Sequence, residues 1–314
     1  MIPLVCAACT GLQLQPAFQC PTTIFFDLGP DRCKSSDPPE EYLVSDVNIF
    51  IFNSVEGILE ESRYSDSRNL SQGITVPLLK GAAYDIFACL NFGYPIAGIK
   101  TKDDLKALRF HLAYPDEYHG GIPMAARLES FSTDSSFVIL RPERMMSRIV
   151  LKMDRSLLSD GVSMSVRRVR LVGCPKSMSP FLESRAEGKD DIFRDGFNKT
   201  ESEADNLNRD GPGRQSSEVC LYMLENLAGK IPSSVTDPSA TGVYPYVELE
   251  MDYVSKSLHS KPGEWLIYRF CIGEAEGVAD IRRNTIYRYT IRPEGSGVDE
   301  FSWRVDKSAL VPFG

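Results

Sequence analysis

Short runs of β-branched and aromatic residues, each followed by a cluster of turn-forming residues, recur along this chain from Thr22 onward. Runs of this kind favour β-strands, and their regular alternation with turns is typical of sandwiches rather than helical bundles. The pattern therefore predicts an all-β fold. The predicted strands cover residues 22–28, 44–52, 74–79, 83–91, 137–140, 145–153, 162–172, 219–224, 244–254, 265–272 and 285–291.

Three of these runs indicate how their strands are placed. Residues 47–52 are apolar on both pleat faces, which predicts a strand covered on both sides. Residues 244–253 alternate apolar and acidic side chains, which predicts one buried face and one wet face. In residues 162–171 the apolar phase shifts at Arg167-Arg168, and one inserted residue there predicts a β-bulge.

The length of 314 residues exceeds what one hydrophobic core usually supports, since domains tend to contain roughly 100–150 residues. We expect an N-terminal β-sandwich over residues 20–143 and a C-terminal β-sandwich over residues 144–314. The strongly polar residues 183–218 predict a flexible surface insertion in the second domain. The apolar residues that could dock parts of it are Phe181, Ile192, Phe193 and Phe197.

One short helix is predicted at residues 101–109. Thr101 can cap its N-terminus, and Asp104, three residues later, can reach back to the first-turn amides. Leu105 and Leu108 then share one face of the helix. The pattern therefore predicts a capped helix within an otherwise β-rich first domain.

Residues 1–19 have the character of an export signal followed by a lipoprotein tether. An apolar run leads to two alanines, to Cys9 and to polar residues, which is similar to the lipobox of bacterial lipoproteins. The cysteine after the alanines is the acylated residue in such proteins, so Cys9 is the predicted lipidation site. The alternative is an ordinary hydrophobic N-terminal strand.

The acidic balance and the scarcity of histidine argue against several classes of function. The net charge of -8 argues against nucleic-acid binding, because phosphate binding needs a dense basic face. Three histidines and eight scattered cysteines do not form the paired spacings of a zinc site, so we expect no metal and no cofactor. The C-x-x-C spacing of Cys6 and Cys9 is not followed by the βαβ pattern of a redox site.

Motifs for catalysis are absent from the sequence. It contains no G-x-S-x-G, H-E-x-x-H, Walker or G-x-G-x-x-G motif. The paired carboxylates Asp103-Asp104 and Asp190-Asp191 are more simply a helix first turn and a solvated loop. We therefore predict no catalytic residue and no enzyme, and a secreted hydrolase is the alternative with least support.

Five phrases, in order along the chain, resemble a known family. Residues 76–91, 122–124 and 140–149 are similar to parts of its N-domain, and residues 221–226 and 280–290 are similar to strands of its C-domain. The family is that of the fimbrillin-like proteins, which comprises the type V pilins of Bacteroidales and their fimbrial anchor subunits. The resemblance extends over residues 22–305.

The resemblance implies a fold of two tandem transthyretin-like (Greek-key) β-sandwiches and export to the outer membrane as a lipoprotein. It implies a structural or adhesion subunit of a cell-surface fimbria, acting as stalk, tip or anchor, with other fimbrial subunits as partners. Such subunits join by strand addition, in which an unpaired sheet edge takes up a strand from a neighbour.

The resemblance also implies two points of strand exchange. Proteolysis after an arginine can remove the first strand in this family, so residues 22–28 would be the removable strand and Arg32 the candidate processing site. Anchor members keep this strand. The candidate donor strand contains Phe301, Trp303 and Val305, whose alternation equally fits the last strand of its own sandwich.

A second class of function stays open at this point. A surface lipoprotein with this fold could bind a glycan or a ligand on a host or bacterial surface without polymerising. A subunit that polymerises is expected to form SDS-resistant ladders, whereas a simple binding protein is expected to run as a monomer.

Overall fold

β-strands make up most of the structure. The computed structural model describes residues 18–28, 41–66, 70, 72–118, 120–199, 204–235, 237–240, 242–256, 264–298 and 302–313. These residues form strands β1 to β21 and one α-helix, α1. No helix in this described part is long and apolar enough to cross a bilayer. The predicted all-β fold with one short helix is confirmed.

The first half of the chain forms two sheets that share one core. Its elements are β1 (Gln19–Phe26), β2 (Asp46–Asn53), β3 (Leu59–Asp66), β4 (Ile74–Leu79), β5 (Ala83–Leu90), α1 (Lys102–Ala107), β6 (Phe110–His111), β7 (Met124–Ser132), β8 (Phe137–Leu140) and β9 (Glu143–Arg144). One sheet has the order β4-β1-β8 and the other the order β3-β2-β5-β7-β9. Ile24 of the first sheet is buried in one cluster with Ile49 and Tyr84 of the second, so the sheets pack face to face as a β-sandwich.

The second half repeats this architecture. Its strands are β10 (Met146–Met153), β11 (Val162–Val172), β12 (Ser177–Met178), β13 (Phe197–Lys199), β14 (Val219–Leu224), β15 (Asn226–Lys230), β16 (Tyr246–Ser255), β17 (Trp265–Cys271), β18 (Val278–Ile281), β19 (Thr285–Pro293), β20 (Trp303–Lys307) and β21 (Val311–Pro312). The two main sheets have the orders β14-β10-β19-β20, with β21 beside β19, and β13-β11-β16-β17. Leu151 and Tyr287 of one sheet share a core with Val169 and Leu249 of the other. Two β-sandwiches therefore follow each other along the chain.

The chain passes from the first pair of sheets to the second between β9 and β10. This change falls next to the predicted boundary after residue 143. The independence of the two halves as domains stays a prediction.

A third apolar cluster, which we call the central cluster, joins the two sandwiches. Its buried members are Phe50, Phe52, Phe87, Cys89, Phe92, Leu105, Phe110, Leu112, Ile122, Ala125, Met145, Met146, Met178, Tyr222, Leu224 and Phe313. Phe50 and Phe52 lie on the face of β2 that points away from Ile49 and Ile51. The prediction that this strand is covered on both sides is confirmed.

The helix begins at the predicted cap. The Asp104 N–H donates to Thr101 Oγ1 at 3.2 Å, and the Thr101 N–H donates to Asp104 Oδ2 at 2.9 Å. Leu105 is buried in the central cluster, which holds the helix against the sheet. The helix ends at Ala107, before the predicted residue 109, because Leu108 has the extended angles φ -58° and ψ 131°.

The predicted β-bulge is present in β11. The pairing of β11 with β16 shifts between Val166 and Arg168, so Arg167 is the extra residue. Because of this insertion, Val166 and Val169 both reach the second core. The phase shift in the sequence therefore located the bulge correctly.

The predicted wet face of β16 is wet only in part. Val247, Leu249 and Met251 are buried as expected, but Glu248 on the opposite face is only 2% exposed. Arg170 and Arg269 donate to its carboxylate from the flanking strands, with Nε–Oε distances of 2.8 and 2.7 Å. The pattern of a single strand does not indicate that arginines of its neighbours will cover it.

Parts of residues 183–218 dock onto the second sandwich. Ile192 and Phe197, two of the residues predicted to dock this segment, are buried, and β13 pairs with β11. Ala204 and Leu207 are also buried in the second core. The predicted flexibility of the rest of the segment stays a prediction.

Candidate functional site

Strand β1 occupies the middle of a three-stranded sheet. It runs antiparallel to β4, with Thr22 opposite Val76, and parallel to β8, with Ile24 opposite Val138. We call the groove between β4 and β8, in which β1 lies, the β1 slot. Withdrawal of β1 would leave β4 and β8 without their shared partner in this sheet.

The β1 slot belongs to the apolar core of the first sandwich. Thr22 and Ile24 point into the core and are fully buried. The buried residues that cluster with Ile24 include Val47, Ile49, Val76, Leu78, Val138 and Leu140. Removal of β1 would expose apolar surface, and an extended segment with apolar residues at alternate positions could cover it again.

Main-chain hydrogen bonds show which groups of β1 face each neighbour. The N–H of Thr23 donates to the carbonyl of Ser136 at 3.0 Å, so Thr23 faces β8. Successive residues of a strand face opposite sides in the sheet plane, so Thr22 and Ile24 face β4. The β1 slot therefore offers main-chain partners on both sides.

The outer edge of β4 is poorly suited to a further strand. Val76 and Leu78 face β1, so Pro77 and Leu79 face the outer edge. Proline has no N–H to donate, and the N–H of Leu79 donates to Oη of Tyr84 at 3.2 Å.

The outer edge of β8 is also poorly suited to a further strand, for a different reason. The hydroxyl of Ser135 donates to the carbonyl of Phe137 at 2.8 Å and accepts from its N–H at 3.4 Å. An incoming strand would compete with this local turn. The position of β1 thus offers more main-chain partners than either outer edge of the sheet.

Gly73 packs directly against β1. Its φ of +74° lies in the left-handed region, and a Cβ atom at this position would lie 2.6 Å from Cγ2 of Thr23 and 2.9 Å from Cε1 of Phe25. The close approach of this turn to β1 requires glycine. Gly73 therefore helps to hold β1 in the β1 slot.

A buried ionic group, which we call the junction cluster, lies where the two sandwiches meet. It consists of Glu41, Arg144, Arg148, Tyr222 and Phe313. The carboxylate of Glu41 accepts from Oη of Tyr222 and lies 3.2 Å from Nη1 of Arg148. Nε and Nη2 of Arg144 donate to the carbonyl of Glu41 at 3.2 and 2.9 Å. The guanidinium of Arg144 lies over the ring of Phe313, 4.7 Å from its centroid.

Burial shifts the pKa values of the junction cluster. It lowers the pKa of Arg144, which Glu41 only partly offsets. Burial and then the neighbouring carboxylate of Glu41 raise the pKa of Tyr222. The phenol therefore stays protonated and can donate to Glu41 throughout the physiological range.

The predicted donor segment lies in its own sandwich. β20 pairs antiparallel with β19, with Val305 opposite Ile291. Trp303 stacks on Tyr268 at a centroid distance of 4.2 Å, and its Nε1 donates to the carbonyl of Gly297 at 2.9 Å. A donor role would require β20 to leave these contacts.

Three predicted site residues lie outside the described residues. They are the lipidation site Cys9, the processing site Arg32 and the first donor residue Phe301. Their predicted roles stay predictions.

The thiols in the described part of the chain are not paired with one another. The free cysteines there are Cys20, Cys89, Cys174, Cys220 and Cys271. Burial raises the pKa of Cys89 and raises that of Cys174 to about 12, which makes both thiols unreactive. Within the same residues, no group of histidine, cysteine and acidic side chains is arranged to hold a metal ion.

A cleft of about 340 Å³ is lined by residues of both sandwiches. Two of its arginines are already engaged. Arg283 donates to Glu225, with an Nε–Oε2 distance of 3.1 Å, and Nε of Arg141 lies 3.2 Å from Oδ2 of Asp27. The cleft therefore gives no specific support to a ligand-binding function.

Sequence reasoning missed several residues that shape these sites. A proline inside a predicted strand is a signal for an edge strand, so Pro77 could have been recognised. Glu41 carries no such signal, because its partners Arg148 and Tyr222 are distant in the sequence. The strand itself was predicted at residues 22–28, whereas it spans Gln19–Phe26.

Two tandem β-sandwiches, with β1 in the middle of a sheet and a buried junction between the halves, define a protein of the double β-sandwich class. The chain has the fold of the fimbrillin-like proteins, as the sequence resemblance predicted.

Two solved structures illustrate this similarity. The tip fimbrial protein Mfa3 from Porphyromonas gingivalis, solved with a C-terminal truncation, matches with a TM-score of 0.58 and 14% identity over 95% of this chain and 100% of that chain. The fimbrilin FimA from Porphyromonas gingivalis matches with a TM-score of 0.59 and 12% identity over 94% of this chain and 97% of that chain. No protein-family model and no curated protein sequence matches the chain.

Proposed function

We propose that this chain is a structural or adhesion subunit of a bacterial surface fimbria. It joins a neighbouring subunit by strand replacement, in which an extended segment of that neighbour takes the place of β1. In this role the chain is a structural component rather than an enzyme.

The middle position of β1 carries the proposal. A segment that replaces β1 gains main-chain partners on β4 and β8 together and covers the apolar core of the first sandwich. Pro77 and Ser135 disfavour pairing at the two outer edges of the same sheet. Similarity of fold to a tip protein and a fimbrilin supports the same function.

The proposal includes the processing and anchoring steps implied by the family resemblance. Cleavage after Arg32 would free the segment that contains β1, and a lipid on Cys9 would hold the precursor at the outer membrane. Cys9→Ala, expressed with its native upstream sequence, is expected to abolish lipid labelling, and unchanged labelling would contradict the lipid. Peptides that span Arg32 intact, recovered by mass spectrometry from assembled fibres, would contradict the cleavage.

The donor segment of the same chain is proposed to include Phe301, Trp303 and Val305. As a donor it would leave β19 and enter the β1 slot of the next subunit. Fibres in which Trp303 fluorescence is identical to that of the free chain would contradict this part of the proposal.

A designed disulfide tests strand replacement directly. The hydroxyls of Thr23 and Thr75 lie 3.0 Å apart on directly opposite residues of β1 and β4. This is a pair without mutual main-chain hydrogen bonds, where Cα atoms approach closely enough for a disulfide. In the variant Thr23→Cys/Thr75→Cys, oxidation is expected to lock β1 in place and to abolish the SDS-resistant ladder of extracted fibres.

Three controls define the outcome of this test. The single variants Thr23→Cys and Thr75→Cys should form normal ladders, and reductant applied before assembly should restore the ladder of the double variant. A normal ladder from oxidised double variant, with the disulfide verified by mass spectrometry, would exclude replacement of β1.

A further inference from the structure

We propose that Thr22 makes β1 an imperfect occupant of the β1 slot, and that the slot prefers an extended segment of another subunit with an aliphatic side chain at this position. This inference names the chemistry of the partner strand and rests on the proposed function. It concerns which segment occupies the slot more favourably.

The side chain of Thr22 is completely buried, with 0% exposure. Among the described residues, no hydrogen-bond partner lies within reach of its Oγ1. The adjacent Thr23 differs, because its hydroxyl on the opposite face of β1 lies 3.0 Å from Oγ1 of Thr75. The two neighbouring threonines thus provide one unsatisfied hydroxyl and one satisfied hydroxyl in the same strand.

The surroundings of Thr22 are apolar. Val76 lies directly opposite on β4, and Ile24 is the next residue on the same face of β1. A hydroxyl that leaves water for such a site loses its hydrogen bonds with water and gains none in return. Valine has nearly the same shape as threonine and carries no group that needs a hydrogen bond. The site therefore fits an aliphatic β-branched residue better than the threonine it holds.

The resident strand β1 and a strand of another subunit therefore differ in how favourably they fill the β1 slot. A segment with valine or isoleucine opposite Val76 would fill the same space without the unsatisfied hydroxyl. We expect a preference of about tenfold for such a segment, which corresponds to about 1.4 kcal/mol. The resident strand is then stable enough to complete the fold and weak enough to be replaced.

Hydrogen exchange of the full chain tests this inference without any fibre. Thr22→Val is expected to slow exchange of the β1 amides about tenfold, because opening of β1 no longer relieves a buried unsatisfied hydroxyl. Thr23→Val is the matched control: it removes the satisfied hydroxyl and should leave β1 exchange unchanged or faster. Exchange that is equally slow in Thr22→Val and in the parent chain would overturn the inference.

Peptide capture gives a second measurement on the same protein. Fluorescent peptides of residues 18–28, with threonine or valine at position 22, are incubated with the full chain, and the bound label is measured after gel filtration. We expect about tenfold more capture of the valine peptide. Equal capture of both peptides, or capture of neither, would overturn the inference.

The two proposals fail separately. If Thr22→Val slows exchange but the parent chain never forms ladders, assembly by strand replacement is wrong and the imperfect fit of β1 stands. If the parent chain forms ladders and Thr22→Val changes neither exchange nor the rate of ladder formation, strand replacement stands and the role of Thr22 is wrong.

Discussion

At the scale of single residues, buried charged groups that pair across large distances in sequence matter most for the stability of the contact between the two sandwiches. Glu41 is 2% exposed and connects to Arg148 and Tyr222 of the second sandwich. Its carbonyl also accepts two hydrogen bonds from Arg144. A charge in this environment is tolerated because every partner is present, so removal of one partner is costly.

Glu41→Gln is expected to lower the free energy of unfolding by about 3 kcal/mol, because it leaves the buried guanidinium of Arg148 without its carboxylate. Urea denaturation followed by circular dichroism measures the change. The control is Asp103→Asn in the exposed pair with Lys106, where the side chains are 88% and 58% exposed. That change should cost less than about 1 kcal/mol, and equal losses in both variants would contradict the importance of the junction cluster.

Glu248 is expected to contribute a pH-dependent part of the stability. Burial alone would raise its pKa, but hydrogen bonds from Arg170 and Arg269 outweigh burial and lower the pKa below its ordinary value. A carboxylate with a lowered pKa stabilises the fold above the ordinary value for glutamate, and this stabilisation is lost as the pH falls through the folded-state pKa.

The measurement compares the parent chain with Glu248→Gln in urea at pH 7 and at a series of acidic values. The variant should be less stable by about 1–3 kcal/mol at pH 7, and the difference should shrink below about pH 4.5. Glu250→Gln is the matched control in the same strand, since its partner Arg168 is 42% exposed and should matter less. A stability difference between the parent chain and Glu248→Gln that stays constant with pH would contradict the pairing of Glu248 with Arg170 and Arg269.

At the scale of elements, β11 shows how one residue sets the faces of a whole strand. Arg167 is inserted between Val166 and Arg168, and beyond it Val169 and Leu171 point into the core. Because the side-chain period of a strand is two, Val166 and Val169 can share one face only if one residue between them has no partner on β16. The bulge at Arg167 therefore absorbs the odd spacing between these two valines.

Deletion of Arg167 is expected to leave the second sandwich folded, because Val169 then follows Val166 at the even spacing of a regular strand and stays opposite Leu249. Tryptophan fluorescence and circular dichroism should keep their native signals. Arg167→Ala keeps the bulge, and its side chain is 52% exposed, so stability should change by less than about 1 kcal/mol. Unfolding of the deletion variant, when Arg167→Ala stays folded, would show that the bulge itself is required.

At the scale of the whole molecule, the central cluster and the junction cluster couple the two sandwiches. Phe87 and Leu105 of the first sandwich share the central cluster with Leu224 and Phe313 of the second half. Apolar contact of this extent resembles the inside of one domain more than a transient interface between two. We therefore expect the sandwiches to unfold together.

The distribution of tryptophan allows a direct test of this coupling. Both tryptophans of the chain, Trp265 and Trp303, lie in the second sandwich, whereas circular dichroism reports the strands of both. In urea the two signals should follow one coincident transition. Phe313→Ala, which removes a ring from the central cluster, should cost about 3 kcal/mol and separate the two curves. Separate transitions in the parent chain would contradict the coupling.

Much of the fold was accessible from local sequence patterns. β4, β8, β11 and β14 have the predicted bounds, and the cap at Thr101 and the bulge at Arg167 were located correctly. Strand β3 was not predicted, because its polar residues cover both faces of an edge strand that does not need an apolar stripe. Residues 183–218 are polar on average, and Phe197, one of the few apolar residues predicted to dock them, is buried in the second core.

The sequence by itself determined where most of the apolar strands lie and which of their faces are apolar, because those properties depend on neighbours along the chain. Only the tertiary structure decided that β1 lies between β4 and β8, that the hydroxyl of Thr22 is buried without a partner, and that Glu41 holds the two sandwiches together. Each of these features depends on partners far apart in sequence, and the pairing of distant segments is a property of the topology. The site proposed for strand exchange therefore depends on the sheet order, although β1 itself was predicted from the sequence.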